Sequence, residues 1–226
     1  MKIVGIIGRA QHNQDNQEII QINEYVRRAM THFDNVITIA LLPTNDTFYC
    51  DLKDKRDQLS ELDQAKLDHI LNQCDGFIAP GGSSWFKFDE HITQYAIDHD
   101  KPFLGICAGM QCFSGMYSDT EPRMSLIPGG THDNGGKRYS HTVEIMDNTK
   151  LKAILQQDNI LTNSSHKYQV NPPLRDDIVI SAYSEDGTIE GVELPNKKFI
   201  IGTQWHPEYI LDENSMKIFQ TFVDAL

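Results

Sequence analysis

Gly105-Ile106-Cys107-Ala108-Gly109-Met110-Gln111 sets one cysteine between two glycines, directly after the apolar run Pro102-Phe103-Leu104-Gly105-Ile106. That order predicts a buried strand, a sharp turn and a helix. A nucleophile on such a turn is lifted out of the sheet into a strained position, and flanking glycines let neighbouring backbone pass close by. The first amides of the following helix place partial positive charge beside the sulfur, which favours thiolate over thiol. On its own the motif reads first as a core cysteine at a strand end, where free cysteines usually lie. A base elsewhere in the chain decides between the two.

Gly202-Thr203-Gln204-Trp205-His206-Pro207-Glu208 supplies one. The segment Lys198-Phe199-Ile200-Ile201-Gly202 predicts a strand, so His206 falls just past a strand end. Glu208, two residues on, can reach the far ring nitrogen and fix its tautomer, and Pro207 stiffens the link. Cysteine hydrolases need a thiolate, an imidazole that takes and returns protons, and a carboxylate that holds the imidazole. A His-x-Glu alone reads as a solvated loop. Together with the cysteine turn it becomes a candidate triad of Cys107, His206 and Glu208.

The 226 residues suffice for one substantial core, and a single domain over 1–226 is expected. A formal charge of -12 argues against nucleic acid or an anionic membrane as partner. The four cysteines, Cys50, Cys74, Cys107 and Cys112, show no zinc-ligand spacing and read as a reduced set, with Cys50, Cys74 and Cys112 core or near-surface thiols. The opening Lys2-Ile3-Val4-Gly5-Ile6-Ile7 turns polar too quickly for a signal peptide, and no apolar run approaches a membrane span. A cytoplasmic location is expected.

Strand-like and helix-like segments alternate through the first half. Ile19, Ile22, Val26, Ala29, Met30 and Phe33 share one helical face. Residues 36–42 predict a strand stopped by Pro43, and Ser60 with Asp63 a capping box opening a helix. Gly76-Phe77-Ile78-Ala79 predicts a strand that opens into Pro80-Gly81-Gly82, followed by a helix over residues 86–98. Repeated β-α units build a parallel sheet with ligands at the strands' carboxyl edge. In the second half, residues 141–145, 178–183 and 191–194 predict short strands of an antiparallel extension, with turns at Glu185-Asp186-Gly187 and Pro195-Asn196. Residues 128–136 read as a mobile glycine-rich loop, and Met216, Phe219, Phe222, Val223 and Leu226 as one face of a closing helix.

The ordered set Pro80-Gly81-Gly82, Gly105 to Gln111 and Gln204 to Glu208 resembles the class I glutamine amidotransferase superfamily over nearly the whole chain. The resemblance implies a flavodoxin-like α/β fold, with a mostly parallel sheet flanked by helices and a small antiparallel extension. It implies Cys107 as nucleophile, His206 as general base then acid, and Glu208 as its orienter. It also implies an oxyanion hole from the amides of Ala108 and of Gly81 and Gly82, with Gln111 helping to hold a glutamyl group. Asn163-Ser164-Ser165-His166 resembles the Asn-Ser-x-His element of the γ-glutamyl hydrolase branch, which places Ser165 and His166 at the substrate. The expected activity is therefore hydrolysis of a small γ-glutamyl amide through a glutamyl thioester on Cys107. The alternative is the glutaminase subunit of a two-chain amidotransferase that hands ammonia to a synthase partner. Ala108 where the branch often has arginine, Lys167 where it has a second histidine, and a short region 124–141 depart from the pattern on the leaving-group side. His132 and His141 could suggest a metal, but two histidines in a glycine-rich loop read as surface or substrate-side residues. Neither a metal nor a cofactor is expected, and a homo-oligomer is possible.

Overall fold

The computed structural model describes residues 1–45, 59–135 and 137–226; Cys50 and Gly136 lie outside the described residues. From the first residue the chain runs β1 (Lys2–Ile7), β2 (Arg9–His12), β3 (Glu18–Gln21), α1 (Glu24–Met30), β4 (Val36–Leu41), α2 (Glu61–Leu71), β5 (Gly76–Ala79), α3 (Lys87–Asp98), β6 (Phe103–Ile106) and α4 (Ala108–Met116). It continues through β7 (Met124–Leu126), β8 (His141–Ile145), α5 (Lys150–Leu155), β9 (Asn159–Thr162), β10 (Tyr168–Val170), β11 (Val179–Ser184), β12 (Ile189–Glu193), β13 (Ile200–Thr203), α6 (Pro207–Ile210) and α7 (Glu213–Asp224).

Nine strands form one sheet in the order β4-β1-β5-β6-β13-β12-β11-β8-β9. The first five pair in parallel and the remaining four extend the sheet antiparallel. The parallel part has the strand order of flavodoxin-like folds, in which ligands gather beyond the carboxyl ends of the strands. Short all-apolar strands such as Gly76–Ala79 and Phe103–Ile106 are buried along their whole length because helices cover both faces. One face packs Leu67, Leu71, Phe88, Ile92 and Phe113 from α2, α3 and α4. The other packs Val26, Ala29, Leu151, Leu155, Ile218 and Phe219 from α1, α5 and α7.

The capping box at Ser60 forms as expected, with the Asp63 amide donating to the Ser60 hydroxyl at 3.1 Å. Two expectations change. Ile19 lies in β3 and Ile22 precedes α1, because Asn23 caps that helix and accepts from the amides of Tyr25 and Val26. The residues before Asn23 instead form a β2–β3 hairpin. Residues 128–135 are not a featureless loop: Pro128–Gly130 makes a 3-10 turn, and Asp133 bridges to Ser165.

Candidate active site

Three strand ends meet at one edge. β6 ends into Cys107, whose backbone has φ 51° and ψ -107° as the N-cap of α4. A non-glycine residue at positive φ is costly and persists only where its surroundings fix it. Here the fixing is visible on both sides. The Cys107 amide donates to Thr203 O at 2.8 Å, and α4 lies so close to β5 that a Cβ on Gly109 would stand 2.1 Å from Ala79 O. The second glycine of the motif is therefore a packing requirement. The first amides of α4 have no intrahelical partner.

β13 ends into His206, which precedes the short helix α6. Its Nδ1 lies 2.8 Å from Glu208 Oε1, and its ring stacks on Tyr209 at 4.6 Å and 5°. Asn163 holds the His206 backbone from both sides, donating to its carbonyl and accepting from its amide at 2.8 Å each. The other ring nitrogen is left for the Cys107 thiol, with which His206 is in hydrogen-bonding contact. Burial alone would push the imidazole pKa down; the charge of Glu208 and the contact with Cys107 outweigh it and hold His206 well above its ordinary value. Glu208 is wholly buried, takes a second contact from Asn23 Nδ2 at 3.5 Å, and keeps Oε2 without a partner among the described residues.

β5 ends into Pro80-Gly81-Gly82. A Cβ on Gly81 would stand 2.5 Å from His206 Cε1 and 3.4 Å from Cys107 Cβ, so this loop is packed flush against both side chains. Arg9, buried at the start of β2, holds the loop by donating from Nε to Pro80 O at 3.0 Å and pairing with buried Asp89. Asp89 in turn accepts from the Phe86 amide at 2.9 Å and so anchors the start of α3.

A cavity of about 350 Å³ opens onto these groups, lined by Gly81, Gly82, Cys107, Ser165 and His206. Arg9, Gln11, Gln21, Asn23 and Tyr25 also line it. Of the residues singled out from the sequence, those five meet around one space. Gln111 and His166 do not line it. Gln111 donates its Nε2 to Tyr168 O and Gln204 Oε1, both at 3.1 Å. His166 is turned inward by its Nδ1 bond to Tyr168 O and packs its other nitrogen against Glu190. His132 is likewise buried, 4% exposed, contrary to a surface reading. The hairpin residues and Arg9 are not marked as site residues by the sequence, whereas the Asn163 to His166 element is, and Asn163 serves it by gripping His206; Asn23 followed by Glu24 is the one local signal for the helix start that frees the hairpin.

With a thiol, an imidazole and a carboxylate in line beside free helix-start amides, the arrangement can carry nucleophilic acyl transfer. The comparisons point the same way. The chain is 28% identical over 249 aligned positions to a CTP synthase of Lactobacillus johnsonii, covering 96% of this chain and 46% of that protein. It is 26% identical to a glutamine amidotransferase-like protein of Rickettsia prowazekii, covering 70% of this chain and 79% of that one. The chain thus spans less than half the length of the CTP synthase. Its fold matches the solved glutaminase domain of Trypanosoma brucei CTP synthase with bound acivicin, with TM-score 0.71 and 18% identity over 100% of this chain and 93% of that one. Residues 87–208, just over half of the chain and including Cys107, His206 and Glu208, match Peptidase C26; the chain belongs to that family and is an enzyme of the glutamine amidotransferase type.

Proposed function

We propose that residues 1–226 act as one glutaminase domain that hydrolyses the side-chain amide of glutamine and supplies the ammonia to a synthase component. The observation that carries this reading is the packing of Cys107, His206 with Glu208, and the Gly81 loop around one cavity of amino-acid size. The likeness to a CTP synthase over 96% of the chain favours glutamine over other γ-glutamyl compounds.

His206 holds the proton taken from Cys107, and the thiolate attacks the carbonyl carbon of the side-chain amide. The developing oxyanion faces the amides of Ala108 and of Gly81 and Gly82; loss of one such donor typically costs about 10²–10³ in rate. His206 returns its proton to the leaving nitrogen, ammonia departs, and a glutamyl thioester remains. Water, deprotonated by the same imidazole, then cleaves the thioester to glutamate and regenerates the thiol. Glu208 keeps the imidazole in the needed tautomer throughout.

A second reading, hydrolysis of γ-glutamyl amines, is favoured by Ser165 of the Asn163 to His166 element lining the cavity. Glutamate release by the purified chain separates the two. Turnover of glutamine above that of a γ-glutamyl amine panel, lost in Cys107→Ser, supports the glutaminase. Faster turnover of the amines selects the second reading. No turnover of either, with Cys107 unmodified by acivicin in folded protein, would sink both.

A further inference from the structure

Four side chains that the active site does not use converge beneath its floor. His132 Nδ1 lies 3.2 Å, His141 Nε2 3.4 Å and His166 Nε2 3.4 Å from the same atom, Glu190 Oε1. His132 Nδ1 and His166 Nε2 are 3.1 Å apart. The rings do not stack: His132 is tilted 53° to His141 and 57° to His166. Glu190 is 0% exposed, and neither of its oxygens has an aligned hydrogen-bond partner among the described residues; nor has His141 Nε2.

The far nitrogens explain why. His166 Nδ1 faces Tyr168 O at 3.1 Å, a group that can only accept, so Nδ1 carries the proton and Nε2 is bare in the neutral ring. His132 Nε2 faces Asp186 Oδ2 at 3.1 Å, so in the neutral ring its Nδ1 is bare. Asp186 is itself fixed by Ser184 and the Thr188 amide. In the neutral rings the His132 and His166 lone pairs face each other at 3.1 Å and lie beside the buried Glu190 carboxylate. Protons on the imidazoles bridge to Glu190 one edge at a time; a divalent metal draws His132, His141 and Glu190 together at once.

We propose that His132, His141 and Glu190 form a site for a divalent transition metal of the zinc class, with His166 Nε2 beside it. Zinc bonds imidazole and carboxylate at about 2.1 Å, and a tetrahedron of that radius has edges of about 3.4 Å. The edges from Glu190 Oε1 to His132 Nδ1 and His141 Nε2, 3.2 Å and 3.4 Å, fit it, and the ligand atoms of these three residues lie within 4.8 Å of one another. Carbonyl and carboxylate partners on the far ring nitrogens are the usual second support of metal-bound histidine. With His132 and Glu190 buried and His141 partly so, the site lies away from solvent and serves structure.

The ligands come from segments distant in sequence, which gives the metal a positioning role. His132 O accepts from the Ser164 hydroxyl at 2.7 Å and the His166 amide at 3.1 Å. The metal therefore pins the segment that carries Asn163, which grips His206, and Ser165, which lines the cavity. The metal assignment stands apart from the glutaminase reading; only its effect on turnover rests on that reading.

Purified protein is stripped with a chelator, given ZnCl2, desalted and assayed by elemental analysis and thermal unfolding. The expected result is about one zinc per chain, a raised Tm, and loss of both in Glu190→Gln and His141→Ala. Cys107→Ser should keep its zinc, which excludes binding by the reactive thiol. Asp186→Asn, whose side chain is half-exposed and outside the donor set, should fold and bind about 10–100-fold more weakly. Zinc content near zero in the reloaded wild type, retention in Glu190→Gln, or loss confined to Cys107→Ser would each overturn the proposal.

Discussion

An alanine at Gly81 tests the site with a single methyl group. Its Cβ would stand 2.5 Å from His206 Cε1 and 3.4 Å from both His206 Nδ1 and Cys107 Cβ. Carbon atoms settle at about 3.5–4.0 Å, so something must retreat by about 1 Å. Neither side yields easily. The imidazole is stacked on Tyr209, bonded to Glu208 and clamped through its backbone by Asn163. The loop is tied to Arg9 through Pro80 O. A displacement of about 1 Å at the reacting groups costs about 10²-fold in rate, or about 2.7 kcal/mol of barrier. Overpacking costs about 1–3 kcal/mol of stability, which leaves the protein folded at room temperature. Gly115→Ala on α4 is the control: its Cβ meets only ordinary contacts at 3.7 Å and 4.0 Å, so its rate should stay at the wild-type level. The assay is steady-state glutamate release together with the rate of Cys107 inactivation by acivicin, with circular dichroism confirming the fold. A folded Gly81→Ala within about twofold of wild type in both measurements would refute the idea that this loop sets the Cys107–His206 geometry.

Three further changes probe the surroundings. Removing the Glu208 charge lowers the His206 pKa, since Glu208 and Cys107 raise it against burial. The His206 contribution to stability is full below about 6.5 and is lost as pH rises through the higher folded value. Glu208→Gln should therefore move the alkaline limb of kcat/KM to lower pH and slow turnover by about 10²-fold or more, less than His206→Ala does; an unmoved limb would contradict the pairing. Arg9→Met leaves Asp89 buried without its counter-charge and should cost about 3–5 kcal/mol in denaturant unfolding, partly recovered by a second change, Asp89→Asn. Iodoacetamide at neutral pH should label Cys107 and spare Cys74, whose thiol burial pushes up to about 11; peptide mapping that finds Cys74 modified first in folded protein would contradict this.

What the sequence made legible is what its local physics determines. The apolar strands Gly76–Ala79 and Phe103–Ile106, the Ser60 cap and the strand-turn-helix at Cys107 depend on neighbours in sequence, and they appear where expected. The β2–β3 hairpin was missed because Ile19 and Ile22 keep the helical spacing of Val26 and Ala29 across Asn23. Periodicity alone does not register that Asn23 interrupts it. Arg9 and Asn163 act through partners 80 and 43 positions away, a pairing that only the sheet order creates.

The two glutamates of β12 show the same limit most sharply. Glu190 and Glu193 belong to a strand that is buried along its whole length, where a sequence reading expects alternate positions to reach water. Glu193 is reconciled with burial by the start of α5, accepting from the Lys150 and Leu151 amides at 2.7 Å and 3.0 Å. Those two bonds, with the positive end of the helix, offset the loss of water around one carboxylate. Glu190, three residues earlier, receives no such amides and faces only imidazole nitrogens. A fold that satisfies one buried carboxylate so directly and surrounds the other with imidazole nitrogens has left room for a cation between them. Elemental analysis of Glu190→Gln beside Glu193→Gln separates the cases: zinc and the stability it adds should vanish from the first, while the second should keep its zinc and lose stability through the start of α5.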